Sequence, residues 1–150
     1  MDFNCNFNPY LRGFKILPDK PPKLLLLKYN CILQIDDDAD DCEMFAEALH
    51  KVSESEYISI NNPVKALENL IAGLLKPDVI VLDVNMPGMN GIEVLSKIMK
   101  NKNTSGIPVI MFSTSAHQDH IDKSMALGAL KYVAKPFSIG ELRAFIQSEL

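Results

Sequence analysis

From Cys31 onward the chain alternates short apolar runs with amphipathic stretches five times. That alternation constrains the fold more than any other feature, because strands apolar on both sides must be covered on both sides by helices. Ile32-Leu33-Gln34-Ile35, Tyr57 to Ile60, Val79-Ile80-Val81-Leu82, Pro108 to Phe112 and Tyr132-Val133-Ala134 read as the strands. Between them, residues 40 to 52 carry Cys42, Phe45, Leu49 and Val52 at helical spacing. A second helix follows Asn61-Asn62-Pro63, with Val64, Leu67, Leu70, Ile71 and Leu74 apolar. Ile92, Leu95, Ile98 and Met99 mark a third, residues 118 to 127 a fourth, and Ser138-Ile139-Gly140-Glu141 reads as a capping box that opens a fifth. The prediction is an α/β fold, a parallel sheet with helices on both faces.

With 150 residues, 47% of them hydrophobic, the chain can bury one good core and is too short for two ordinary domains. A net charge of -4 provides no broad basic field, which argues against direct nucleic-acid binding. Cys5, Cys31 and Cys42 are odd in number and lack zinc-site spacing, so they read as reduced thiols. The N-terminus has no basic-then-apolar leader, and Leu24 to Leu27 falls far short of the ~20 residues a membrane span needs. The expectation is a cytoplasmic protein with no membrane association. Residues 1–30, broken by Asn and by Pro9, Pro18, Pro21 and Pro22, are expected to be an N-terminal extension, in part disordered, ahead of a domain at 31–150. Its apolar run Lys23 to Lys28 could prolong the first strand, dock elsewhere or hang loose.

Ligands in open α/β sheets bind beyond the carboxyl ends of the strands. Here the first strand is followed by Asp36-Asp37-Asp38, the third by Asp83, the fourth by Ser113-Thr114 and the fifth by Lys135-Pro136. Crowded carboxylates repel one another and call for a cation. Mg²⁺ suits hard oxygen ligands and works with phosphate oxygens, while Lys135 can neutralise charge on the other side. Asp83 is the best nucleophile candidate, since it ends the central strand before an open Pro-Gly loop. Taken singly, these residues are as readily structural: Asp38 and Asp41 are assigned to capping and the first helical turn, and His50, His117 and His120 to the surface or helix ends. Phe45, Met44, Met99 and Met125 are assigned to core filling.

The motifs Ile35-Asp36-Asp37, Val81-Leu82-Asp83-Val84-Asn85-Met86-Pro87, Phe112-Ser113-Thr114 and Tyr132-Val133-Ala134-Lys135-Pro136-Phe137 resemble the signature of response regulator receiver domains, in order and over residues 31 to 150. The resemblance is to the single-domain form, similar to the chemotaxis response regulator. It implies a flavodoxin-like, doubly wound sheet of five parallel strands in the order 2-1-3-4-5 with five helices. By the same resemblance Asp83 is the phosphoacceptor, Asp37 a direct Mg²⁺ ligand, Asp36 a ligand through water, and Asn85 the donor of a backbone carbonyl to the metal. Lys135 pairs with the aspartate or its phosphoryl group, through a cis bond to Pro136. Ser113 is the switch hydroxyl and Tyr132 the aromatic that turns inward with it. Thr114 departs from the usual Ala or Gly; its amide can still serve, but its β-branched side chain could narrow access to Asp83.

The implied function is a signalling switch rather than an enzyme, one that assists its own aspartyl phosphorylation and dephosphorylation. Its partners would be a sensor histidine kinase or phosphotransfer protein and a downstream protein target, with the chain a monomer or weak dimer. The last helix runs to the end of the sequence, so the output is expected to be a change in affinity for another protein, read on the face of the last two helices and the Tyr132 strand. A phosphatase of the haloacid dehalogenase type would want a second acid where Asn85 stands, and a nucleotide binder a glycine-rich loop after the first strand. A docking module that no longer signals usually lacks site residues, and none is missing here.

Overall fold

The computed structural model describes residues 14–15, 25–26 and 28–150. Five strands form one parallel sheet: β1 (Cys31–Ile35), β2 (Glu56–Ile60), β3 (Val79–Asp83), β4 (Val109–Ser113) and β5 (Lys131–Ala134), in the order β2-β1-β3-β4-β5. They alternate with α1 (Ala39–Val52), α2 (Pro63–Ile71), α3 (Gly91–Lys100), α4 (Gln118–Leu127) and α5 (Ile139–Glu149). This is the order and helix count the sequence implied. Phe14–Lys15 pairs antiparallel with Leu25–Leu26 apart from the main sheet, so that part of the Lys23 to Lys28 run does not prolong β1. The other residues of the 1–30 extension, Cys5 among them, lie outside the described residues.

Side chains alternate along each strand and divide the core in two. Leu33, Ile35, Ile80, Leu82 and Met111 pack on one face with Leu67, Leu70, Val94, Leu95 and Ile98 of α2 and α3. Ile32, Val79, Val81, Ile110 and Phe112 pack on the other with Phe45 and Leu49 of α1 and Leu142 and Ile146 of α5. Each such fully buried side chain contributes about 1.5–3 kcal/mol. The alternation carries past the strand ends, so Asp36, Asp83 and Lys135 leave the sheet on the α1–α5 face and Ser113 on the opposite one.

Caps fix where the helices start. Asp38 Oδ1 accepts the amides of Asp40 and Asp41 to start α1, and Asn62 caps α2 with Pro63 behind it. Asn90 and Glu93 form a reciprocal capping box on α3 that the sequence reading did not single out. At α5 the expected box is only half formed. Ser138 accepts the Glu141 amide, but Glu141 reaches one residue further back and accepts from Phe137 N.

Two apolar assignments are corrected. Leu74 is not on α2: the helix stops at Ile71, Gly73 turns the chain with φ 72°, and Leu74 is exposed. Met125 does not fill the core, because α4 buries only Ser124 and turns Met125 outward. Phe45 is fully buried, and Met44 and Met99 pack on the two cores from their margins. His50 and His117 are exposed and His120 half-buried at the start of α4.

Candidate functional site

Register brings the acids together. β1 and β3 are adjacent, with Ile35 opposite Leu82, so Asp36 and Asp83 leave neighbouring strand ends on the same face. Asp83 in turn lies opposite Phe112, which puts Ser113 one step beyond it on β4. Carboxylate oxygens of Asp36, Asp37 and Asp83 lie within 4.8 Å of one another. Asp36 and Asp83 are buried and Asp37 exposed, so the cluster opens to solvent on the Asp37 side.

Lys135 is the cation this cluster is built around. Its Nζ lies 2.7 Å from Asp36 Oδ2, 2.7 Å from Asp41 Oδ2 and 3.0 Å from Asp83 Oδ1. Burial alone would lower the Lys135 pKa, but its bonds to Asp36, Asp41 and Asp83 override that and raise it. Asp83 shifts up as well: burial raises it, the charge of Asp36 adds to this, and Lys135 and the Asn85 amide only partly offset the two. Asp41 does lie in the first turn of α1, but the side-chain bond to Lys135 was not foreseen. The signal was its place on the first turn above the strand ends.

The Lys135–Pro136 peptide is trans, as is every peptide among the described residues, which corrects the expected cis bond. Trans is the lower-energy isomer before proline by about 0.5–1 kcal/mol, and in that form Lys135 reaches all three carboxylates while its amide donates to Ser113 O at 2.7 Å.

The remaining expected residues sit around this centre. Ser113 is fully buried; its Oγ accepts from Asn85 Nδ2 at 3.4 Å and from Ser115 N at 3.3 Å. Tyr132 is half-buried against the α2–α3 core and donates its hydroxyl to Ser115 O at 2.8 Å. Thr114 is exposed and lines a cavity of about 100 Å³ with Asp41, Lys135 and Phe137, so its side chain stands at an entrance beside the lysine. Asn85 is exposed on the loop after β3. Gly91 closes that loop: its amide donates to Val84 O at 2.9 Å, and any Cβ there would collide with the Asp83 carbonyl.

Behind Asp36 lies a group of polar side chains that sequence reasoning passed over. Gln34, Tyr57 and Asn61 bond to Asp36 or to one another, and the buried Cys42 thiol, pushed to about 11 by burial and then by the Asp36 charge, lies against its carbonyl. Gln34 could have been noticed as the one polar side chain within a strand otherwise apolar from Cys31 to Ile35.

Three or more carboxylates and a single ammonium leave a negative surplus of hard oxygen donors, a set that fits Mg²⁺ or Mn²⁺. Comparison with known proteins bears on the same residues: the profile of the response regulator receiver domain matches residues 32–147. The chain belongs to that family. Among curated relatives, the receiver is 34% identical over 119 residues to the phosphate regulon transcriptional regulatory protein PhoB of Pseudomonas aeruginosa, which covers 79% of this chain and 51% of the relative. The chain thus spans about half the length of that relative. Among solved structures, the phosphorylated cyanobacterial phytochrome response regulator RcpA is 28% identical with a TM-score of 0.73, covering 80% of this chain and 90% of its own. The Mn²⁺-bound form of response regulator Rcp1 is 28% identical with a TM-score of 0.69, covering 79% and 90%. Receivers are signalling modules of two-component systems, and the family implies phosphorylation-dependent signalling. No helix among the described residues is long and apolar enough to cross a membrane.

Proposed function

We propose that this receiver, residues 31–150 with 1–30 as an extension, accepts a phosphoryl group on Asp83 from a sensor histidine kinase or phosphotransfer protein, and that the modified form changes its affinity for a protein target. The observation that carries the reading is Lys135 Nζ, held within 3.0 Å of Asp36, Asp41 and Asp83 beside the cluster of Asp36, Asp37 and Asp83. An Asp83 oxygen attacks phosphorus, a P–O bond forms, and the P–N bond of the donor phosphohistidine breaks with its electron pair returning to the imidazole. Lys135 has three N–H groups, and those now spent on carboxylates are in place to turn to the incoming phosphoryl oxygens.

Asp36, Asp37, Asp83 and the Asn85 carbonyl would hold Mg²⁺, which when bound neutralises the charge spread over the phosphoryl oxygens. The Mn²⁺-bound relative supports a divalent ion of this size. The Thr114 amide offers a further donor at the rim. Ser113 reports the phosphoryl group by turning its hydroxyl toward it and giving up its contacts to Asn85 and Ser115. Because Tyr132 bonds to the same Ser115, a shift there reaches the aromatic ring. A cytoplasmic location and a monomeric or weakly dimeric state belong to this reading.

The test is incubation with Mg²⁺ and acetyl phosphate followed by intact mass. One phosphoryl adduct is expected, dependent on Mg²⁺ and absent in Asp83→Asn; a parent protein that takes none overturns the proposal.

A further inference from the structure

Gln34 occupies a position where burial is costly for an amide. It lies on β1, an interior strand of the sheet, 1% exposed, on the face where its neighbours two residues either way are Ile32 and Asp36. A buried side-chain amide needs a partner at each end, and here it has both. Nε2 donates to Asp36 Oδ2 at 3.3 Å, and Oε1 accepts from the Tyr57 hydroxyl at 2.8 Å.

Directions along this chain are set by what each group can do. A carboxylate only accepts, so the amide must present its NH₂ to Asp36 and its carbonyl to Tyr57. The phenol must then donate. Burial pushes the Tyr57 pKa up and keeps its proton in place. That one proton is shared between Gln34 and the Cys42 carbonyl at 3.1 Å, which ties the chain of bonds to α1. The Tyr57 ring is itself fixed by stacking on Phe45 at 5.6 Å.

Asp36 is thereby held on every side. Oδ2 takes Gln34 and Lys135, Oδ1 takes the Asp38 amide at 3.0 Å, and the backbone carbonyl takes Asn61 Nδ2 at 2.8 Å. Without Gln34 the carboxylate keeps its charge partner but loses the donor that fixes its plane from the sheet side. We infer that Gln34 and Tyr57 are positioning residues for the acidic site, a buried amide and phenol in series that hold the Asp36 carboxylate in the orientation serving both the divalent cation and Lys135. The inference rests on Asp36, Asp37 and Asp83 being the cation site.

The experiment uses the full chain and two variants chosen to fold. Gln34→Met keeps length and removes both polar ends; Tyr57→Phe keeps the stack on Phe45 and removes only the hydroxyl. The Mg²⁺ dissociation constant is measured by calorimetric titration, and thermal melting is measured separately in EDTA. Second partners of metal ligands are typically worth 10–100-fold in affinity, so Gln34→Met is expected to weaken Mg²⁺ about tenfold while its EDTA melting temperature stays level or rises. Tyr57→Phe should weaken Mg²⁺ by a smaller factor, and the double variant should bind no worse than Gln34→Met alone, because the phenol acts through the amide. Variants that bind Mg²⁺ as the parent does, or a double variant whose losses multiply, overturn the inference and leave the cation site standing. A parent that binds no Mg²⁺ overturns both.

Discussion

The two faces of the sheet are tied down very differently at the carboxyl end. On the α1–α5 face, Lys135 reaches three carboxylates at 2.7 to 3.0 Å and Asp36 is bonded through every oxygen. On the opposite face, the buried Ser113 hydroxyl makes contacts of 3.3 and 3.4 Å, and α4, preceded by His117 with no side-chain cap, buries only Ser124. Strong charge-assisted bonds fix geometry, and weak neutral ones can be exchanged at little cost. The contrast suits a site whose chemistry must be held in place next to a surface that must move.

The largest expected effect comes from breaking the tight face. In EDTA, Lys135→Met leaves Asp36, Asp41 and Asp83 without their shared cation and should cost about 3 kcal/mol in urea unfolding. Millimolar Mg²⁺ should restore part of it. A loss below about 1 kcal/mol would show that the face is not held by this lysine. Next, Gly91→Ala drives a Cβ into the Asp83 carbonyl and should cost about 2 kcal/mol. It should also slow adduct formation, since the turn that aims Asp83 must shift. A parent-like melting curve and rate would contradict that close approach.

Asp83→Asn sharpens the comparison in the other direction. Burial raises the Asp83 pKa, so the folded protein keeps this proton to a higher pH than the unfolded chain does. The stability this confers is present below the ordinary carboxylate value near 4 and is lost as pH rises through the raised one. Asn has no charge to bury. In EDTA the variant should therefore gain on the parent as pH climbs from the ordinary carboxylate value toward neutral, with no gain at acid pH. Equal stability across that range would mean that Lys135 already neutralises Asp83 in full. The smallest effect belongs to the loose face: Ser113→Ala should change stability by about 0.5 kcal/mol, given the length of its contacts and the exposure of Asn85.

The sequence displayed the sheet plainly, because strands such as Val79 to Leu82 are apolar on both sides and end where Asp36, Asp83, Ser113 and Lys135 begin. Reading residues by strand end found the centre of the site. It missed what depends on a side chain's direction in space. Asp41 sits in the helical turn where it was expected, above the strand ends, but that place alone does not name Lys135, 94 residues on, as its partner. Gln34 and Tyr57 meet across two strands whose register the sequence does not state. The exposed Met125 and Leu74 were misjudged for a related reason, since an apolar residue at helical spacing is buried only if the helix continues and the neighbouring element covers it.

Amide hydrogen exchange on the phosphorylated protein tests the division between the two faces most directly, with intact mass on the same sample to establish that the adduct is present. The loop and helix from Ser113 to Leu127 should change their exchange several-fold on phosphorylation, while the interior of α1 from Phe45 to Val52 stays as it was. A change spread evenly over both faces, or centred on α1, would contradict the account.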